Sequence, residues 1–365
     1  MKRQRTEHKK EIMGLSLWPG AQGLKILTAS KDGDVQMWDP TTWASSGTIA
    51  CGGEVHSIVV EENWLFVGFE AVAPELPGVP VGFVRGWNLT DPAHQHQFIV
   101  DPASMPYSHA TAVTALAATI QGGMPVVLSG SKDGSMRMWG VDQATQRFAS
   151  QAELRGHVRG VTKLLLIPST LHAGAMLSAS LDHTIRMWDL TTQTCMGCVT
   201  SAQEGHAGAV YDLLYFPLAD AHYIISCGQD KMVKVWQLGP GAAGAAAGAA
   251  PAALALTHSF GEQQALAPKS LCGVVDADSV TPMLLLGLDN GELLVKQLPD
   301  FNNLLVLRPN QSYGHTGCIT CIAMGPECTF FTGSVDRKFM AWQISQSIVQ
   351  ANAGGGGGGG RGGGY

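Results

Sequence analysis

The chain has 365 residues, of which 14% are charged, against about a quarter in ordinary soluble domains, while 45 Gly, 18 Pro and nine Trp stand out. That mixture suits many short strands joined by turns. A formal net charge of −6 excludes a global attraction to nucleic acid or to anionic membranes, which needs a cationic surface.

In chain order, residues 1–7 form a basic segment, and the opening MKRQRTEHKK lacks the apolar core of a secretory signal. The chain is therefore expected inside the cell, in the cytoplasm, the nucleus or both. From residue 8 a phrase begins to recur: an apolar run, small residues, an Asp, a turn, alternating apolar residues and a Trp. IMGLSLW reads as an innermost strand after His8, and LTASKDGDVQMWD sets Asp32 six residues before Trp38. The second unit reaches Trp87 after a Pro-rich loop, AVAPELPGVPVG, residues 71–82, and has Gly52-Gly53-Glu54 where the others carry a His. The third, VLSGSKDGSMRMWG, brings His109, Asp133 and Trp139. The fourth, MLSASLDHTIRMWD, brings His157, Asp182 and Trp188, with Ser178 or Ser180 on its second strand. The fifth, IISCGQDKMVKVWQ, brings His206, Asp230 and Trp236.

A Gly/Ala-rich insertion over residues 239–255 follows; Gly and Ala give little transfer free energy and Pro251 interrupts the run, so it is read as flexible and not as a membrane span. The sixth unit, LLLGLDNGELLVKQL, lacks both His and Trp and places Asp289 six before Val295. The seventh, FFTGSVDRKFMAWQ, carries His315, Asp336 and Trp342. Its outer strand comes either from QISQSIVQ, residues 343–350, or from the N-terminus. Residues 351–365 are Gly-rich, with no content for a packed core, and are expected as a disordered tail.

Seven units at this spacing predict an all-β fold: a seven-bladed β-propeller over residues 8–350, with four antiparallel strands per blade. Such a ring closes on itself and leaves no long free edge.

These phrases resemble the WD-repeat (WD40) family. The resemblance implies a hydrogen-bond relay in each full blade, running through His, Ser or Thr, Asp and Trp. The chemistry supports it: a turn Asp accepts from backbone N–H groups and imidazole, and a buried Trp N–H needs an acceptor. Residues 52–69 and 257–301 also resemble a subgroup, the plant and algal proteins that join a CCCH zinc finger to a WD-repeat propeller. No stretch here supplies the C-x8-C-x5-C-x3-H spacing, so zinc-borne RNA binding does not carry over.

Several similar His, Ser and Asp sets, each tied to a Trp, read as scaffold, because a nucleophile needs one exposed, activated constellation. GxxxxGK[ST], GxSxG and HExxH do not occur. No catalytic residue and no cofactor is therefore expected. The eight cysteines sit mostly in strand-like runs and read as reduced, buried thiols. The pairs Cys195/Cys198 and Cys318/Cys321 fall on different blades, and residues three apart on a strand face opposite sides, so no metal site is expected.

The family resemblance implies docking on the rim that carries the residue before each turn Asp. It points to Lys31, Lys132, Leu181, Gln229 and Val335, joined by Arg159, a set suited to an acidic or mixed peptide. The expected function is a non-catalytic scaffold or adaptor, a monomeric propeller that binds protein partners and no membrane. The alternative is an RNA-associated protein using the basic N-terminus and the single RGG of the tail.

Overall fold

The computed structural model describes residues 2–5 and 8–343, less 21–22, 75, 99–104, 106, 143–146, 173, 219–220, 240–253, 262–265, 275–281, 310–313 and 327. Its strands form seven four-stranded antiparallel sheets. Blade 1 runs Ile12–Gly20, Gly23–Ser30, Asp34–Trp38 and Ser45–Ala50, and blade 2 runs Glu54–Glu61, Trp64–Val72, Pro80–Asn88 and Asp91–Phe98. Blade 3 runs Val113–Gln121, Met124–Ser131, Met136–Asp142 and Arg147–Leu154; blade 4 runs Val161–Leu166, Ala175–Ser180, Ile185–Asp189 and Thr194–Val199. Blade 5 comprises Val210–Leu218, Ala221–Gly228, Met232–Leu238 and Leu254–Gly261, and blade 6 comprises Pro268–Val274, Met283–Leu288, Leu293–Gln297 and Asn303–Leu307. Blade 7 has Ile319–Met324, Thr329–Ser334 and Lys338–Gln343, and its outer strand is Lys2–Arg5.

That last strand settles how the ring closes. Lys2–Arg5 lies antiparallel to the third strand of blade 7, pairing Lys2 with Ala341 and Arg5 with Lys338. The first and last stretches of chain are thus knitted into one sheet, and residues 2–5, read above as a segment outside the propeller, belong to it. Residues 344–365, which include the other candidate strand and the tail, lie outside the described residues. Two further boundaries move. Leu254 and Ala255, assigned above to the Gly/Ala insertion, begin the outer strand of blade 5. In the Pro-rich stretch, Ala71 and Val72 pair with Val81 and Pro80, so only residues 73–79 form the loop.

The propeller has no central hydrophobic core. Its buried apolar side chains form seven clusters, each spanning the seam between two neighbouring blades. The innermost strands contact one another all the way round, blade 1 meeting both blade 2 and blade 7. Alternation explains this layout. Each sheet is buried on both faces between its neighbours, so second strands such as MLLLGL in blade 6 are buried at every position. Among the described residues, no helix is long and apolar enough to cross a membrane.

Candidate functional site

Each tight turn between the second and third strands of a blade sits on one rim, and the relays fix those turns. In blade 4, His157 Nδ1 lies 2.9 Å from Asp182 Oδ2, and His157 Nε2 lies 2.7 Å from Ser178 Oγ. Trp188 Nε1 donates to the same hydroxyl at 2.8 Å. With Nδ1 facing a carboxylate, the ring proton belongs there, so Ser178 donates to Nε2 while accepting from Trp188. Ser180, the other hydroxyl considered, instead accepts from the Asp182 N–H at 3.0 Å. Blade 5 repeats the relay through His206, Asp230, Ser226 and Trp236. Blade 1 does so through His8, Asp32, Thr28 and Trp38, and blade 7 through His315, Asp336, Thr332 and Trp342.

Burial opposes ionisation of Asp182, but bonds from His157, Thr184 and the Val158 N–H outweigh it and hold the carboxyl below its usual range. Asp336 shows the same balance, with His315 as its main partner, and sits at about 2.

Two blades depart from the expected scheme. In blade 3, His109 Nδ1 meets Ser135 Oγ at 2.9 Å and not Asp133, whose carboxylate accepts the Ser135 N–H at 2.7 Å. A serine is interposed, and the His109 ring, buried without a direct carboxylate contact, is pushed down to about 3. Its other half is intact, since Ser129 takes His109 Nε2 at 2.7 Å and Trp139 Nε1 at 2.8 Å. In blade 6 the register is one residue later than the sequence reading. Asn290, not Asp289, occupies the turn and accepts the Glu292 N–H, so the position six residues on is Lys296. Lys296 pairs with Leu284 just as Trp188 pairs with Met176. It is buried, and its ammonium donates to Asn303 Oδ1 at 2.8 Å and to the Phe301 carbonyl at 3.3 Å.

The rim residues occupy one repeated place. The backbone N–H groups of Lys31, Lys132, Leu181, Gln229 and Val335 donate to Glu11, Ala112, Gly160, Ala209 and Cys318 carbonyls at 2.8 to 3.0 Å. Arg159 lies on the same rim, its carbonyl accepting from Ser180 Oγ at 3.0 Å. Lys132, Arg159, Gln229 and Val335 are exposed, whereas Lys31 and Leu181 are half-buried. Glu11 approaches Lys31 only to 4.0 Å.

Sequence reasoning missed two features of this end of the molecule. The first is apolar. Among the described residues the large hydrophobic side chains that stand exposed are Val72, Leu76, Val79, Val158, Val335 and Met124, and all but Met124 lie on the rim of the turns. Three of them, Val72, Leu76 and Val79, form a prong on the Pro-rich loop of blade 2.

The second is a ring around the axial channel. Each innermost strand has a bulge near this rim, and in five of them a side chain of the neighbouring blade donates to the carbonyl just before the bulge. Thr114, Thr162 and Thr320, at the bulge itself, reach across to Val161, Val210 and Ile12 carbonyls of the next blade. In blades 2 and 6 the next residue does so: Ser57 to Val113 at 2.8 Å and Ser270 to Ile319 at 3.0 Å. In blade 5, Asp212 accepts the Leu271 N–H at 2.8 Å. The recurring Val-Thr and Ile-Thr dipeptides at the start of these strands were the available signal.

The channel mouth is a cavity of about 180 Å³ walled by all seven blades. Lys163 and Asp212, on the neighbouring blades 4 and 5, pair within its wall at 2.9 Å, which holds Lys163 in its charged form. His56 is kept toward neutral by burial, with Lys31 and Lys132 acting the same way against Glu70 and Glu54. None of the eight cysteines is in a disulfide among the described residues. Burial pushes Cys51, Cys272 and Cys321 up to about 12, so these stay protonated and unreactive. Among the described residues no group of three His, Cys, Asp or Glu side chains is placed to hold a metal ion.

Comparison with known proteins agrees with this architecture. The repeat model described as "WD domain, G-beta repeat" matches residues 102–140, 148–189, 197–237 and 307–343, covering blades 3, 4, 5 and 7. The chain is 30% identical over 169 residues to the rice "Zinc finger CCCH domain-containing protein 17", covering 46% of this chain and 33% of that one. It is 31% identical over 150 residues to the Arabidopsis thaliana "Zinc finger CCCH domain-containing protein 48", covering 41% of this chain and 29% of the relative. The chain thus spans no more than about a third of the length of these curated relatives. With repeat matches in four blades, relays in five and seven four-stranded sheets in a ring, the fold is a seven-bladed β-propeller that carries WD40 repeats.

Proposed function

We propose that the protein is a non-catalytic scaffold that docks protein partners on the rim of the turns. One observation carries this reading: of six exposed large apolar side chains among the described residues, five share that rim. Water-facing apolar groups gathered on one side of a molecule are the usual mark of a docking surface. Lys31, Lys132 and Arg159 stand on the same rim, and charge complementarity favours a partner segment mixing apolar anchors with acidic residues. In five blades the relays also tie down the turn, so there little ordering entropy opposes binding.

The test compares what co-purifies from cells with the parent protein and with three variants. Val72→Asp/Val79→Asp and Lys31→Glu/Lys132→Glu lose partners that Met124→Asp, altered on the opposite rim, retains. Partners held equally by all four proteins would refute the reading. No observation on the described residues favours the RNA alternative; its N-terminal element, Lys2–Arg5, has its backbone engaged in the seventh sheet.

A further inference from the structure

The two ways of satisfying the inter-blade carbonyl have a chemical consequence. Where Thr sits at the bulge, in blades 3, 4 and 7, that side chain is consumed in holding blades together. Where the following residue takes over, in blades 2 and 6, or where Asp212 instead accepts the Leu271 N–H, in blade 5, the bulge side chain lines the channel, and it is His56, Lys269 or Tyr211. Two of these stand side by side: the Lys269 ammonium lies 3.2 Å from the centre of the Tyr211 ring.

The charges around this pair do not balance. Both Asp212 oxygens are occupied, by the Leu213 N–H at 2.9 Å, the Leu271 N–H at 2.8 Å and Lys163 at 2.9 Å. The Asp212 charge is therefore spent within the wall. Lys269 has the face of Tyr211 but no hydrogen-bond acceptor among the described residues, and the Tyr211 hydroxyl has none either. Both residues are half-buried, and a ring face leaves the ammonium's N–H donors open to a further ligand. Across the channel, His56 Nε2 is buried without a partner. The cavity, at about 180 Å³, suits one small group and not a folded segment.

We propose that the channel mouth is an oxyanion site, which takes a single phosphate or carboxylate group beside Lys269 and the Tyr211 hydroxyl, with Lys163 as the flanking cation. The ammonium supplies a charge-assisted donor and the phenol a second donor beside it. The group arrives either as a free ion or on the side chain of a docked peptide.

Isothermal titration of the full chain with inorganic phosphate, and separately with a capped tripeptide containing one Glu, tests the site. At least one probe binds the parent, and whichever binds more tightly names the source. Lys269→Met weakens that probe ten-fold or more and Tyr211→Phe a few-fold. Lys269→Arg keeps it, and Lys231→Met, an exposed cation outside the channel, leaves it unchanged. Lys269→Met must melt like the parent; if it does not, Lys269→Arg and Tyr211→Phe decide. Absence of binding by both probes, or equal affinity in the Lys269 or Tyr211 variants that fold, overturns the site and leaves the docking rim untouched.

Discussion

Replacing Ser178 with Ala tests whether the relays carry stability. Its hydroxyl is the junction of the blade 4 relay, 2.7 Å from His157 Nε2 and 2.8 Å from Trp188 Nε1, and the serine is fully buried. Removing it strands one donor and one acceptor away from water, at about 1 to 3 kcal/mol each, so Ser178→Ala costs roughly 2 to 6 kcal/mol. Ser178→Thr is the informative companion, because Thr28 and Thr332 fill the same place in blades 1 and 7. It retains the hydroxyl and should cost little. Guanidinium unfolding followed by Trp fluorescence reads both, as a lowered midpoint for Ala with an unchanged slope. Adding Trp188→Phe, which removes the stranded donor, recovers part of the loss, and the double-mutant cycle measures the coupling. An Ala variant within about 0.5 kcal/mol of the parent would refute the claim that these bonds hold the blade.

Three other outcomes follow from the geometry. Trp188→Ala empties part of the seam between blades 3 and 4 and lowers stability by about 3 to 5 kcal/mol; equal melting temperatures in calorimetry would remove that claim. His109 binds its proton only near pH 3 when folded but near pH 6.5 when unfolded, so stability falls as pH drops below about 6.5, by at most ~1.4 kcal/mol per unit. His109→Gln flattens the stability profile between pH 6 and 4, whereas the carboxylate contribution of Asp336 is lost only from about pH 4 down to its folded value near 2; a parent and variant of equal slope would contradict the assignment. Deleting residues 1–5, which spares His8, takes the outer strand from blade 7, lowers the melting temperature and speeds amide exchange in Lys338–Gln343; unchanged exchange there would show that the pairing contributes nothing.

The relays were legible because Asp and Trp recur six apart on a fixed turn, and the structure places four full relays where that spacing puts them. Blade 6 was misread by one residue because Asp289 and Asn290 are both good turn residues, and the apolar Val295 looked a better occupant of a buried site than Lys296. Only the pairing of Lys296 with Leu284, and the acceptors from Asn303 and Phe301, show how an ammonium is accommodated there. In blade 3 the substitution was in plain view, Ser135 two after Asp133, but nothing in spacing says which of them the imidazole meets. The hydroxyl ring was hidden for another reason: each of its bonds joins residues about one blade apart, a separation at which sequence periodicity gives equivalence but not contact.

Equivalence and contact together explain how one repeated unit builds a surface that does not repeat. The His, the hydroxyl, the turn Asp and the Trp are nearly the same from blade to blade, since each is bound to the others. The residue just before the turn Asp contributes a backbone N–H to the loop that leads into the same blade, and that bond constrains no side chain. This position is accordingly Lys31, Lys132, Leu181, Gln229, Asp289 and Val335 in six blades, with no general rule of charge or size. In blade 2 the turn is replaced by the apolar prong of residues 73–79. At the channel the same logic applies: with the inter-blade bond made by Ser270 or Asp212, one residue beyond the bulge, the bulge positions are free to carry Lys269 and Tyr211. A scaffold held by backbone-directed and relay bonds thus leaves side chains free to vary at the end that carries both the turns and the channel mouth.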